Sequence, residues 1–238
     1  MLATDFETIN KSMNNGGGQI LNYPIPFYSA YADVYLGLND PEMPASVKEL
    51  YTYSPDKAKQ LLKDAGYPNG FKTTALMLST ETDLYSILKD MWAKAGIELV
   101  FDIKEAGAFN NIINRAQLEG MTRNGATPIA SWFTGSDWTP GSTVNPGQVN
   151  DPVINEAIGK IAKVIITNPA EAKKIYRDML KYALDQAYGI PVSAAPTSLF
   201  RWPWLKNISA EVSVGYLSQP NWVQWVWIDQ DLKKKMGY

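Results

Sequence analysis

Residues 71 to 104 change their hydrophobic period twice, and this limits the chain more than any other feature. Phe71 to Ser79 reads as a strand. Leu84, Ile87, Leu88, Met91, Trp92 and Ala95 then fall on one helical stripe, with Thr80 or Thr82 placed to cap it and Gly96 to stop it. Ile97, Leu99, Phe101 and Ile103 alternate with Glu98, Val100, Asp102 and Lys104, the period of a strand with one buried face. Strand, helix and strand over about 35 residues form a unit that pairs its strands in parallel, with a right-handed crossover. The fold class that follows is α/β.

Further elements extend the same reading. Residues 4 to 13 and 106 to 117 have helical spacing, and Thr127 to Phe133 reads as another short strand. Asp151 with Pro152 opens a helix whose stripe is Ile154, Ala157, Ile158, Ile161, Ala162 and Ile165. Asn168, Pro169 and Glu171 open the next, with Glu171 set as in a capping box and Ile175, Met179, Tyr182 and Ala183 facing inward. Gly16-Gly17-Gly18 completes no phosphate-binding motif and reads as a loop. Residues 23 to 50, rich in proline and aromatics, read as an irregular segment wrapping the surface.

Composition removes several kinds of chemistry. The 238 residues include no Cys and no His, so a Ser-His-Asp triad, a Cys-His dyad and thiolate or imidazole metal sites are impossible within the chain. A net charge of −2, from 22 basic and 24 acidic residues, argues against nucleic acid as a partner. Lys233-Lys234-Lys235 reads as a solvated tail. No run approaches the about 18 apolar residues that a membrane span needs, and the N-terminus lacks the apolar core of a signal peptide. Glu81, Asp83, Asp90, Glu98 and Asp102 alternate with apolar positions and read as solvent faces. They signal no glycosidase-type acid pair.

Tyr53 to Tyr67 reads as one capped helix. Ser54 stands at the N-cap, Pro55 at the first position, Ala58, Leu61, Leu62 and Ala65 on an apolar face, and Gly66 at the end. As a string, Tyr-Ser-Pro-Asp-Lys-Ala-Lys-x-Leu-Leu-Lys-x-Ala-Gly-Tyr-Pro-x-Gly-Phe to Phe71 resembles the signature helix of the extracellular solute-binding proteins of the oligopeptide/dipeptide/nickel class. These are ligand-capturing subunits of ABC importers. The opening Leu2 to Ile9 resembles the family's mid-chain helix, and Asn168 to Pro191 resembles the helix by which its chain leaves the second lobe.

The resemblance implies one lobe of a type II periplasmic-binding-protein architecture, helices on a mixed sheet, with residues 1–190 as a ligand-binding lobe. It implies a periplasmic or extracellular protein, membrane-anchored as a lipoprotein at full length, with signal and first lobe before this stretch. It also implies permease subunits as partners, and no enzymatic role, cofactor or resident metal. Ser131 to Pro140 resembles the family's Gly-Trp-x-x-Asp-Tyr-x-x-Pro loop, which lines the cleft. Asp137 would meet a ligand's amino group, and Trp132 and Trp138 would wall it. Ser131 stands where the family has Gly, and the Trp-to-Asp spacing is longer here. Asp137 alternatively starts an Asx turn before Thr139-Pro140. Arg115 and Arg123 are candidates for a ligand carboxylate, or are ordinary surface residues. The ligand itself stays open among peptides, sugars, metals and haem. A carbohydrate-binding protein with aromatic platforms is the alternative function, and a carboxylate hydrolase a third.

Five of the eight Trp lie at Trp202, Trp204, Trp222, Trp225 and Trp227. Burying one Trp removes about 150–250 Å² from water, worth about 4–6 kcal/mol gross. Residues 191–238 therefore complete this chain's own core, return toward a first lobe or self-associate, or form an aromatic sugar platform.

Overall fold

The computed structural model describes residues 1–27, 32–115, 117–123, 135, 138–142, 145, 147–195, 200–208 and 224–238. The strand expected over Thr127 to Phe133 lies outside them. Two compact units emerge, Met1–Ala195 and Pro196–Tyr238.

In the first unit, β1 (Phe71–Leu78) is flanked by β2 (Ile97–Lys104) and β3 (Met121–Thr122), both parallel to it. Phe71 pairs with Ile97 and Leu78 with Lys104, while Ala75 pairs with Met121. The central position of β1 explains its short buried run, Ala75-Leu76-Met77. Helix α4 (Thr82–Ala93) covers the sheet with Leu84, Tyr85, Leu88, Met91 and Trp92. Helix α1 (Phe6–Asn14) adds Ile9 to this core, its N-terminus capped by Asp5.

A second core lies between α6 (Pro152–Val164) and α7 (Pro169–Asp185), the long helices that follow α5 (Ala106–Asn114) in the chain. Ile154 and Ile161 meet Ala172, Tyr176, Met179, Leu180, Ala183 and Leu184. Ala162, assigned to the buried stripe by its spacing, is exposed. Asp151 caps α6 through the amides of Val153 and Ile154, and Asn168 caps α7 through that of Glu171. The irregular segment before α2 (Ala45–Leu50) does more than wrap the surface. Leu21, Ile25, Val34, Leu36 and Met43 insert into this core, and Val47 of α2 joins them. Arg177 holds the segment in place, reaching the Tyr35 carbonyl at 2.7 Å, Asp40 at 3.0 Å and Glu42 at 3.1 Å.

Helix α3 (Pro55–Asp64) departs from expectation, because none of its residues is buried and Leu61 is half exposed. Its apolar stripe is interrupted by lysines, and Ala58 alone leans on the sheet core. Ser54 makes no side-chain cap, but the helix ends as expected. Gly66 is left-handed (φ +93°), with Gly66 N–H donating to Lys63 and Tyr67 N–H to Leu62. Neither Thr80 nor Thr82 caps α4. A 3-10 turn, Ser79–Glu81, precedes it, and Thr82 donates instead to the Ser79 carbonyl.

The second unit pairs β4 (Leu205–Lys206) antiparallel with β5 (Trp227–Ile228) and ends in α8 (Gln230–Lys235), capped by Asp229. Lys233-Lys234-Lys235 forms the last turn of α8, where positive charge complements the helix dipole, and is not a free tail. Trp204 is buried, stacked on Trp202 at 4.5 Å and tilted against Tyr238 at 4.7 Å. Trp202, Trp225 and Trp227 each stay more than half exposed, and Trp222 lies outside the described residues.

Candidate functional site at the carboxyl edge of the sheet

Three parallel strands release three connections at one edge. Open α/β sheets collect their ligands at that edge, because strand ends and helix starts leave a crevice there. Leu78 leads into the Ser79–Glu81 turn, Lys104 into Glu105 and α5, and Thr122 into Arg123. Thr122 also fastens β3 through its hydroxyl, which donates to the Leu76 carbonyl at 3.0 Å.

Glu81 and Arg123 meet at this edge, with Arg123 Nε 3.0 Å from Glu81 Oε1. The Glu81 side chain keeps only 11% of its surface exposed, against 51% for Arg123. The other Glu81 oxygen accepts the Leu78 amide at 3.0 Å. Beneath the pair, burial first and the Glu81 charge second push the Tyr85 hydroxyl up to about 12. The Arg123 amide and charge pull the other way. Arg123 is thus tied by its backbone to α4 and by Nε to the turn. Half of the Arg123 side-chain surface remains exposed.

The expected site residues separate. Arg123 stands at the edge. Arg115 is exposed at the end of α5, the helix that returns the chain from the β2 exit so that β3 can enter in parallel. Trp132 and Asp137 lie outside the described residues. Trp138 is 2% exposed, edge-on to Tyr23 at 5.7 Å and to Tyr188 at 6.4 Å within the helical core. Its amide and the Thr139 hydroxyl both donate to the Gly135 carbonyl at 2.9 Å. Gly135 sits so tightly on Ile158 that a Cβ there would fall 2.7 Å from its side chain. Buried Asn145 ties Thr139 to Val149. Gly135 and Trp138 thus sit on α6 and its core.

Sequence reasoning assigned Glu81 to a solvent face and missed its part here. The available signal was position: it falls directly after a strand of a parallel unit. A small concavity lined partly by Tyr23, Tyr51 and Tyr188 has room for about one water molecule, far less than a small-molecule site needs. Among the described residues, no three Asp or Glu gather as a metal site, and no helix is long and apolar enough to cross a membrane.

An α/β lobe with its polar residues at the strand exits has the architecture of the type II periplasmic binding proteins. The DppA periplasmic binding protein of Helicobacter pylori, solved with the peptide STSA, shares the fold with a TM-score of 0.60 at 22% identity, over 81% of this chain and 36% of that one. The model of the bacterial extracellular solute-binding proteins, family 5 (middle region), matches residues 1–155, and the chain belongs to that family. A glutathione-binding protein of Shigella flexneri is 26% identical over 168 residues, 63% of this chain and 32% of its own. Heme-binding protein A of Haemophilus influenzae is 28% identical over 166 residues, 60% of this chain and 28% of its own. The chain spans about a third of the length of these curated relatives.

Proposed function

We propose that this chain supplies one jaw of an extracellular solute-binding protein that serves an ABC importer. A peptide or other small solute lies against the carboxyl edge of its sheet, facing a second lobe. The observation that carries this reading is Arg123, held at the strand exit through Nε with half of its side chain exposed, in a chain of this family. Glutathione, heme and the peptide STSA, the compounds in the names of the proteins above, all carry carboxylates that an arginine fork could meet.

Asp137 and Trp132, in the stretch that follows Arg123, would complete the recognition of solute, and Trp138 would hold the base of that stretch. Arg115, exposed at the end of α5, would be a second cation for a ligand carboxylate. The chain carries out no chemistry in this reading. Residues 191–238 would offer their exposed tryptophans to the first lobe or to a second copy, and a lipid anchor and permease contacts belong to the full-length protein.

A thermal-shift panel of peptides, oligosaccharides and nickel tests the reading. Peptides should stabilise the protein, and Asp137→Ala should weaken their binding while leaving the melting temperature of the free protein unchanged. A response confined to oligosaccharides would favour a carbohydrate-binding role instead, and an unaltered dissociation constant would remove Asp137 from the site.

A further inference from the structure

We propose that Glu81 is the positioning residue of this site: it aims the guanidinium of Arg123 so that a carboxylate is read by its geometry as well as its charge. The inference rests on the reading of the carboxyl edge as the solute surface.

Both Glu81 oxygens are engaged, Oε1 by Arg123 Nε and Oε2 by the Leu78 amide. The second contact belongs to the backbone where β1 ends, so the carboxylate is fixed to the sheet. Each Glu81 oxygen already faces a protein N–H, so the carboxylate is committed to Arg123 and to the strand end. It takes the Nε side of the guanidinium. An arginine has five N–H donors in a rigid plane, and pairing at Nε leaves the two terminal nitrogens side by side. Two parallel N–H groups at that spacing match the two oxygens of one carboxylate. The exposures agree: Glu81 is enclosed at 11% and Arg123 remains open at 51%. An arginine without such a hold would lose its rotamer freedom on binding ligand, whereas here that ordering precedes binding.

This role has an unusual sign. Glu81 is negative and sits beside the anion site. If it acted by charge alone, removing that charge would strengthen anion binding. If it acts by aiming Arg123, removing the charge weakens binding, because the carboxamide of Gln cannot hold the arginine as firmly.

The probe is N-acetylglycine, with N-acetylglycinamide as its uncharged control, titrated into the full chain. Binding is followed on the side-chain nitrogen resonances of Arg123, assigned through Arg123→Lys. N-acetylglycine should move them saturably, and the amide should not. Glu81→Gln should raise the apparent dissociation constant about tenfold or more, the scale of one lost charge-assisted contact. In the Arg123→Lys background, where binding is followed by calorimetry instead, a point charge has no fork to aim, so Glu81→Gln should leave binding unchanged or tighten it. Thermal unfolding of each variant checks that the sheet is intact. The more conservative Glu81→Asp serves if Glu81→Gln unfolds, and should weaken binding in the same direction because its shorter arm reaches Arg123 poorly. Tighter or equal binding in the Gln variant, or resonances that ignore N-acetylglycine, would overturn the proposal. A solute panel without hits would instead sink the uptake reading, since this titration reports on Arg123 itself.

Discussion

The indole nitrogen of Trp92 donates to the hydroxyl of Thr4 at 2.8 Å, a buried hydrogen bond between residues 88 positions apart. It joins the start of the chain to the helix that covers the sheet. Thr4 is fully buried and Trp92 nearly so, so neither group has water as a substitute. Thr4→Val keeps the shape and leaves the indole N–H unsatisfied. It should cost about 1–3 kcal/mol in urea unfolding, and Thr4→Ser should recover most of that.

Gly70 and Gly96 bring the starts of β1 and β2 together. A Cβ on Gly70 would fall 1.8 Å from the Gly96 carbonyl oxygen, and Gly70 has φ +74°. Gly70→Ala must therefore move backbone as well as side chain, and a loss of more than about 4 kcal/mol is expected. Gly66→Ala is the control. It has a left-handed φ of +93° but nothing within 4 Å, so only the conformational penalty of about 1–2 kcal/mol applies. Equal melting temperatures for the two variants would refute the close-approach account.

Acid should loosen the helical core first. The Glu42 amide, with Arg177 beyond it, holds Asp40 below its ordinary carboxylate range. The Tyr188 hydroxyl does most to lower Asp151, and Lys181 most to lower Asp178. A carboxyl that is more acidic folded than unfolded adds stability above its unfolded value, and the gain disappears as pH falls through the folded value. The melting temperature should therefore be flat near neutrality and fall below about pH 4. Asp151→Asn should flatten part of that fall. If the melting curve drops already near neutral pH, these carboxylates are not its cause.

The Trp202–Trp204 stack should control the second unit alone. The Trp204 carbonyl accepts the Asp229 amide at 2.8 Å, so the ring and the strand pair are coupled. Trp204→Ala should cost about 3–5 kcal/mol within that unit. Hydrogen exchange at the Asp229 amide should quicken while exchange at the Leu99 amide stays slow. Parallel acceleration of both amides would contradict this.

The local signals that proved sound were those of short range. The strand-helix-strand period between Phe71 and Lys104, the caps at Asp151 and Asn168, and the left-handed Gly66 are each set by residues within a few positions of one another. Tyr85 and Tyr176 were not read as core, because burial on a helix flank depends on what approaches it. Glu81 likewise looked like one carboxylate among several on solvent faces.

The amino-acid order by itself determined the period of the longer elements, the caps at Asp151 and Asn168, the absence of Cys and His, and the family resemblance. Which faces would be covered was left to the tertiary structure. Helix α3 has a stripe much like its neighbours' yet remains open, and Trp138, read as a ligand wall, has both neighbouring rings supplied by distant segments. The Glu81–Arg123 pair also exists only in three dimensions, since it needs β3 alongside β1. The physical reason is that period is a property of successive residues, whereas burial and charge pairing depend on segments far apart in the chain being brought to contact distance.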